Sequence, residues 1–313
     1  MADNTGIEWA DATWQIVTGC SVVSPGCTNC YAEAYDKRVG GVPKKQRVDP
    51  EVQQLRWGPN GARTRTSAAN WKEPLKWNAA AEAAGERHRV FCASLADVFE
   101  ERPELHAWRA ELFSLIFSTP HLDWLLLTKR PEGFARFNFR TELGAPHSWP
   151  SNVWLGVTVE NQEMADKRIP LLLEQPALVR FLSMEPLLGS VDLSAFMGGS
   201  YVGLPGDVVH DSWNAGISWV IIGGESGGNA RPFHTEWARD LVTQCRRSVV
   251  APFVKQMGSN PVDHEGCGDC DRCCARQKCT ENVQVVMTLR DHHGGDMAEW
   301  PEYLRVREFP VAP

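Results

Sequence analysis

The chain has 313 residues, 43% of them hydrophobic and 23% charged, a composition that suits one large globular domain or two small ones. Its apolar runs fall far short of the roughly 18–20 residues needed to span a bilayer, which excludes a helical membrane span. Lys and Arg number 32 against 39 Asp and Glu, a net charge of −7, which argues against coating nucleic acid over the whole surface.

From the N-terminus, residues 1–8 carry neither a basic stretch nor an apolar one. The expected setting is therefore reducing and cytoplasmic, where the clustered ones among the ten cysteines point to metal rather than disulfides. The first predicted strand, 13–18, leads straight into a loop with Cys20, Cys27 and Cys30. A basic stretch follows: residues 37–77 hold ten Lys and Arg against Asp49, Glu51 and Glu73. Residues 39–88 read as irregular.

Further predicted strands are 89–95, 124–128, 153–159, 179–184, 219–222 and 251–255, seven in all, with helices at 103–118, 162–173 and 236–246. Alternating strands and helices imply a parallel sheet. Runs such as Trp124, Leu125, Leu126 and Leu127 are apolar at successive positions, as expected of strands covered on both faces. The expected fold is α/β: a partial or complete parallel (β/α) barrel over 1–257 including a basic insertion at about 37–88. A Cys-rich insertion at 258–282 and a C-terminal segment, 283–313, packed on the barrel complete the chain.

In such a barrel the site lies at the C-terminal strand ends. Those positions carry Cys20, Asp97, Lys129, Thr158, Glu160, Ser183, Glu185, Gly223, Gly224, Glu225 and Lys255. Cys20, Cys27 and Cys30 form C-x6-C-x2-C. Three thiolates suit an iron-sulfur cluster with one iron open to a substrate or cofactor, while zinc with a distant fourth ligand stays compatible.

At these residues the chain resembles the radical S-adenosylmethionine (SAM) superfamily. Thr18, Gly19, Cys20 and then Cys27, Thr28, Asn29, Cys30 and Tyr31 are similar at both ends of the loop to that of spore photoproduct lyase and its relatives. More fully, the chain is similar to a phage-encoded family classed as radical-SAM-like. It shares Ser94 to Phe99, Leu127 to Arg130, Ser183 to Leu188, Gly223 to Gly227, Phe253 to Gln256 and Trp300 to Arg305. The superfamily's usual spacing is C-x3-C-x2-C with an aromatic residue before the third cysteine; this chain has three extra residues, and Asn29 in that place.

The resemblance implies a [4Fe-4S] cluster on Cys20, Cys27 and Cys30 that cleaves SAM to methionine and a 5′-deoxyadenosyl radical. It also implies an electron donor such as flavodoxin or ferredoxin, and a host cytoplasm if the chain is phage-encoded. Asp97, Thr158, Glu160, Ser183 and Glu185 are of the type that meets the SAM amino group and ribose. Lys129 and Lys255 suit its carboxylate or a substrate phosphate, and the glycines around Glu225 suit close backbone approach to adenine or phosphate.

Cys267, Cys270, Cys273, Cys274 and Cys279 fall within 13 residues, a density that signals metal, either a second iron-sulfur cluster or zinc. The basic stretch interleaves Trp57, Trp71 and Trp77 with Arg56, Arg63, Arg65, Lys72 and Lys76, a composition suited to stacking on bases beside phosphates. A pyrimidine base in DNA is the expected substrate, flipped out to reach the barrel mouth. Two rivals stand: a radical SAM enzyme acting on a small metabolite or peptide, and a zinc-binding nucleic-acid module without catalysis. Oligomeric state is left open.

Overall fold

The computed structural model describes residues 5–39, 56–136, 149–197, 216–265 and 283–311. In chain order these hold β1 (Ala12–Trp14), β2 (Val17–Thr18), α1 (Tyr31–Val39), β3 (Thr64–Arg65), α2 (Glu73–Ala84), β4 (His88–Cys92), α3 (Pro103–Phe117) and β5 (Leu122–Thr128). Then come β6 (Val153–Thr158), α4 (Gln162–Leu173), β7 (Val179–Met184), β8 (Trp219–Gly223), β9 (Phe233–His234), α5 (Thr235–Arg247), β10 (Ala251–Gln256), β11 (Pro261–Glu265) and β12 (Val283–Val286). Among the described residues no helix is long and apolar enough to cross a membrane.

Seven strands form one sheet in the order β1-β4-β5-β6-β7-β8-β10, and every neighbouring pair is parallel. The order is linear, so the sheet is a curled half-barrel. Its curl is visible in Trp9, just before β1, whose ring stands 4.6 Å from Phe91, 6.4 Å from Phe181 and 6.2 Å from Trp219 on three other strands.

Burial on both faces explains the continuous apolar runs. On the convex face Val90, Trp124, Leu126, Leu155, Val157, Leu182, Val220 and Val254 pack with Leu112 and Ile116 of α3, Ile169 of α4 and Leu241 of α5. On the concave face Phe91, Leu125, Trp154, Phe181, Trp219, Ile221 and Phe253 form a separate cluster with Trp9. Each fully buried large side chain contributes about 1.5–3 kcal/mol. The aromatic plug fills the N-terminal half of the trough and leaves its C-terminal half open. Cys92 belongs to the convex cluster, as a core thiol.

All seven predicted sheet strands are present, and the three predicted helices recur with ends shifted by a residue at most. The first strand is split, however. Gln15 turns the chain out of the sheet: its carbonyl accepts hydrogen bonds from Thr66 Oγ1 (2.8 Å) and Asn70 Nδ2 (2.9 Å), and its side-chain oxygen takes the Leu95 amide at 2.9 Å. Val17 and Thr18 then pair with β3, antiparallel. The strand expected over 89–95 ends at Cys92.

The expectation that 39–88 is irregular is corrected by α2. Its signals are ordinary ones: Pro74 in the first turn, an alanine-rich body and Gly85 as a left-handed C-cap. The described start of the predicted Cys-rich insertion holds a strand, β11, which pairs antiparallel with β12 at the start of the expected C-terminal segment. Beyond them the C-terminal segment buries Trp300 and Leu304, and Val306 accepts the Val254 amide at 2.9 Å along the outer edge of β10.

Candidate functional site

At the C-terminal ends of the strands lies a cavity of about 450 Å³, lined among others by Cys20, Cys27, Cys30, Asp97, Lys129 and Glu185. It is lined further by Thr158 of β6, Ser183 of β7, Gly224 and Glu225 after β8, and Lys255 of β10. Of the thirteen expected site residues in the barrel, eleven line this one space. The exceptions are Glu160 and Gly223.

Glu160 is fully buried. Its carboxylate accepts from Arg168 Nη1 at 2.8 Å and from the Gly26 amide at 3.2 Å. It therefore holds the cysteine loop from behind and is not exposed to a ligand. A side chain at position 26 would press on this carboxylate, 3.0 Å from where Cβ would stand, which accounts for glycine there. Gly223 is covered by Glu185, whose oxygen would stand 2.8 Å from a Cβ at that position. At Gly224 the corresponding space is taken by the Met257 carbonyl, 2.2 Å away.

The carboxylates that do reach the cavity differ in what occupies them. Asp97 is 6% exposed and accepts from the Phe99 amide (3.0 Å), Thr128 Oγ1 (2.7 Å), the Lys129 amide (3.1 Å) and Arg130 Nη1 (3.0 Å). It knots the loop after β4 to the end of β5. Glu225 is gripped by Arg231 through Nη2 at 2.6 Å and Nε at 3.0 Å, and accepts from Asn29 Nδ2 at 2.9 Å. Burial opposes its ionisation, but the hydrogen bonds from Arg231 and Asn29 hold it below the usual carboxylate range. Glu185 pairs with Lys255 at 3.1 Å, both partly exposed in the cavity.

The cysteine loop is thus tied to the barrel by several strand ends. Arg231 Nη1 donates to the Pro25 carbonyl at 2.9 Å and Arg130 Nη2 to the Ser21 carbonyl at 2.7 Å. Gly19 begins the loop with φ +112°, a value open to glycine, where a Cβ would strike the Arg56 carbonyl at 2.3 Å. Burial and the neighbouring Asp97 charge push the Cys20 thiol up to about 11, against the pull of Arg130. Its sulfur is 3.5 Å from Arg130 Nη1. Arg130, Asn29 and Arg231 were not expected; the first lies in a shared stretch, but only the fold brings them to the loop.

The residues present suit a [4Fe-4S] cluster by their donor chemistry: Cys20, Cys27 and Cys30 are thiols outside any disulfide, all partly exposed, on one cavity. Among the described residues no three His, Cys, Asp or Glu side chains converge as around a single metal ion. Cys267, Cys270, Cys273, Cys274 and Cys279 lie outside the described residues.

The described part of the basic stretch is largely engaged within the fold. Arg56 pairs with Asp36 at 2.7 Å, Arg63 with Glu100 at 2.5 Å and Arg65 with Glu111 at 2.5 Å. Trp71 and Trp77 pack on the convex core. Trp57 lines the cavity and donates its indole N–H to Asp36 at 2.9 Å.

A family model described as "Protein of unknown function (DUF5131)" matches residues 4–297. No curated protein and no solved structure matches the chain.

Proposed function

We propose that the chain, which belongs to this family of unknown function (DUF5131), is a radical SAM enzyme. One observation carries the reading: the three cysteines of C-x6-C-x2-C line the same cavity as the polar ends of six parallel strands. When bound, a [4Fe-4S] cluster with one open iron supplies the electron that cleaves SAM to methionine and a 5′-deoxyadenosyl radical.

The chain's own residues hold and shield that chemistry. Cys20, Cys27 and Cys30 would hold the cluster. Lys255 and Lys129 offer cationic donors to a carboxylate or phosphate, and Glu185, Ser183 and Thr158 offer acceptors to an amino group and hydroxyls. Trp9, Phe91 and Leu127 form an apolar floor that limits water around a radical.

For the substrate we carry forward a pyrimidine base of DNA, flipped into the mouth beside Trp57. The ion pairs that engage Arg56, Arg63 and Arg65 favour a second reading, a small metabolite or peptide. Binding to single- and double-stranded DNA across a salt series separates them: affinity that falls with salt supports DNA, and none at low salt leaves the small substrate.

The deciding experiment is iron, sulfide and zinc per chain after anaerobic purification, with 5′-deoxyadenosine release from SAM under a reductant. A loss of about four irons on Cys27→Ala, together with loss of 5′-deoxyadenosine, is the expected result. Zinc without iron after anaerobic reconstitution would end the proposal in favour of a zinc-binding module.

A further inference from the structure

A buried cluster of charge sits directly behind the first cysteine. Arg63, Arg109, Arg130, Asp97 and Glu100 are each no more than 7% exposed, so three guanidinium groups meet two carboxylates within it. Arg63 is committed to Glu100, through Nη2 at 2.6 Å and Nε at 2.5 Å. Arg109 donates to the carbonyls of Val98 (3.2 Å) and Glu100 (2.9 Å).

Arg130 alone among them reaches the cysteine loop's first ligand. Its Nη1 lies 3.0 Å from Asp97 Oδ2 and 3.5 Å from Cys20 Sγ, while Nη2 donates to the Ser21 carbonyl at 2.7 Å and stands 3.1 Å from Ser21 Oγ. Ser21 Oγ in turn donates to Glu100. The planar guanidinium is therefore fixed on two sides, with one N–H directed at the sulfur. A lysine ammonium, a point charge on a flexible stem, cannot reproduce that fork.

We infer that Arg130 tunes the redox potential of the metal centre held by Cys20, by donating a charged hydrogen bond to its thiolate sulfur. This rests on the cluster reading above. Hydrogen bonds to cluster sulfurs and nearby charge set the potential of iron-sulfur centres. A cation in a site only partly open to water favours the reduced, more negative state, because screening there is weak. Arg130 acts through Cys20 and is a tuning residue, not a catalytic one.

The test uses the full chain, loaded with iron and sulfide anaerobically, in the wild type and in Arg130→Lys and Arg130→Gln. The readouts are iron content, unfolding midpoint, and midpoint potential by EPR-monitored titration; the spectrum of a Cys27→Ala chain is subtracted to isolate the first cysteine group. The expected result is wild-type iron content with a shift to more negative potential. Arg130→Gln, which loses the charge, disfavours reduction about tenfold, or about 59 mV for a one-electron couple, and Arg130→Lys recovers part of that shift.

Wild-type potential in both iron-loaded variants overturns the inference. So does loss of iron from both with an unchanged unfolding midpoint, which makes Arg130 a holder of the loop only. Absence of iron from the reconstituted wild type instead overturns the cluster reading, and this inference with it.

Discussion

Asn29 Nδ2 stands 2.9 Å from Glu225 Oε2 and 2.9 Å from the Asn229 carbonyl, joining the cysteine loop to the turn after β8 across 196 residues of chain. The residue that occupies the place of the superfamily's usual aromatic thus has a mechanical task. It ties Cys27 and Cys30 to the far side of the sheet.

Removing that tie has a measurable cost. Asn29→Ala leaves one hydrogen-bond site of a charged carboxylate unfilled and is expected to destabilise the chain by about 1.5 kcal/mol, read as a lower urea midpoint. A change within about 0.5 kcal/mol, the range of ordinary surface substitutions, would mean that water replaces the amide without loss.

Glu160 is the more severe case. Glu160→Leu leaves Arg168, whose side chain is 5% exposed, as a buried charge without its carboxylate, and leaves the Gly26 amide without its acceptor. The expected loss is about 3–5 kcal/mol by chemical denaturation. Replacing both partners, Glu160→Leu with Arg168→Met, is expected to regain most of it; a double variant no better than the single one would refute the ion-pair account.

Acid sensitivity is expected from Asp11, remote from the cysteines. Burial opposes its ionisation, but the Arg89 side chain and backbone N–H, with the Arg89 charge, hold its carboxyl below the ordinary value. A carboxyl depressed in the folded state adds stability that is fully present above its unfolded value of about 3.9 and is lost as pH falls through the folded value. Stability measured against pH should therefore decline more steeply below about 4 in the wild type than in Asp11→Asn. Parallel curves would show that Arg89 does not hold the charge.

Gly156→Ala tests the plug under the cavity. A Cβ at position 156 would stand 2.4 Å from the Phe181 ring, an overpacking expected to cost about 1–3 kcal/mol. Gly156→Ala combined with Phe181→Leu should relieve the clash. A thermal unfolding scan decides, and an unchanged midpoint in Gly156→Ala would show that the ring can move aside.

Much of the architecture was legible in the residues. Trp124 to Leu127 and Trp219 to Ile222 announce strands because every position is apolar, and only a sheet covered on both faces accepts that pattern. The three cysteines, Asp97, Lys129, Ser183 and Lys255 were legible as strand-end residues by the same token. Glu160 was legible only as a strand-end acid. Its direction was not, because β6 ends at Thr158 and the chain beyond it no longer keeps the strand's alternation, so Glu160 meets Arg168 of α4 and not the trough. Trp71 and Trp77 misled in a similar way: tryptophan amid arginine has the same composition whether it faces a base or packs beneath a helix.

The sequence by itself determined the order of the seven sheet strands and of the three helices α3, α4 and α5, the two-sided burial of the strands and the chemistry available at the strand ends, because these follow from local periodicity and residue type. Only the tertiary structure decided which acids face the cavity and which hold the loop, and that Arg130, Asn29 and Arg231 converge on the cysteines. Those pairings join residues as far apart as Pro25 and Arg231. Such contacts depend on how the curled sheet brings its strand ends together, a geometry no local pattern encodes.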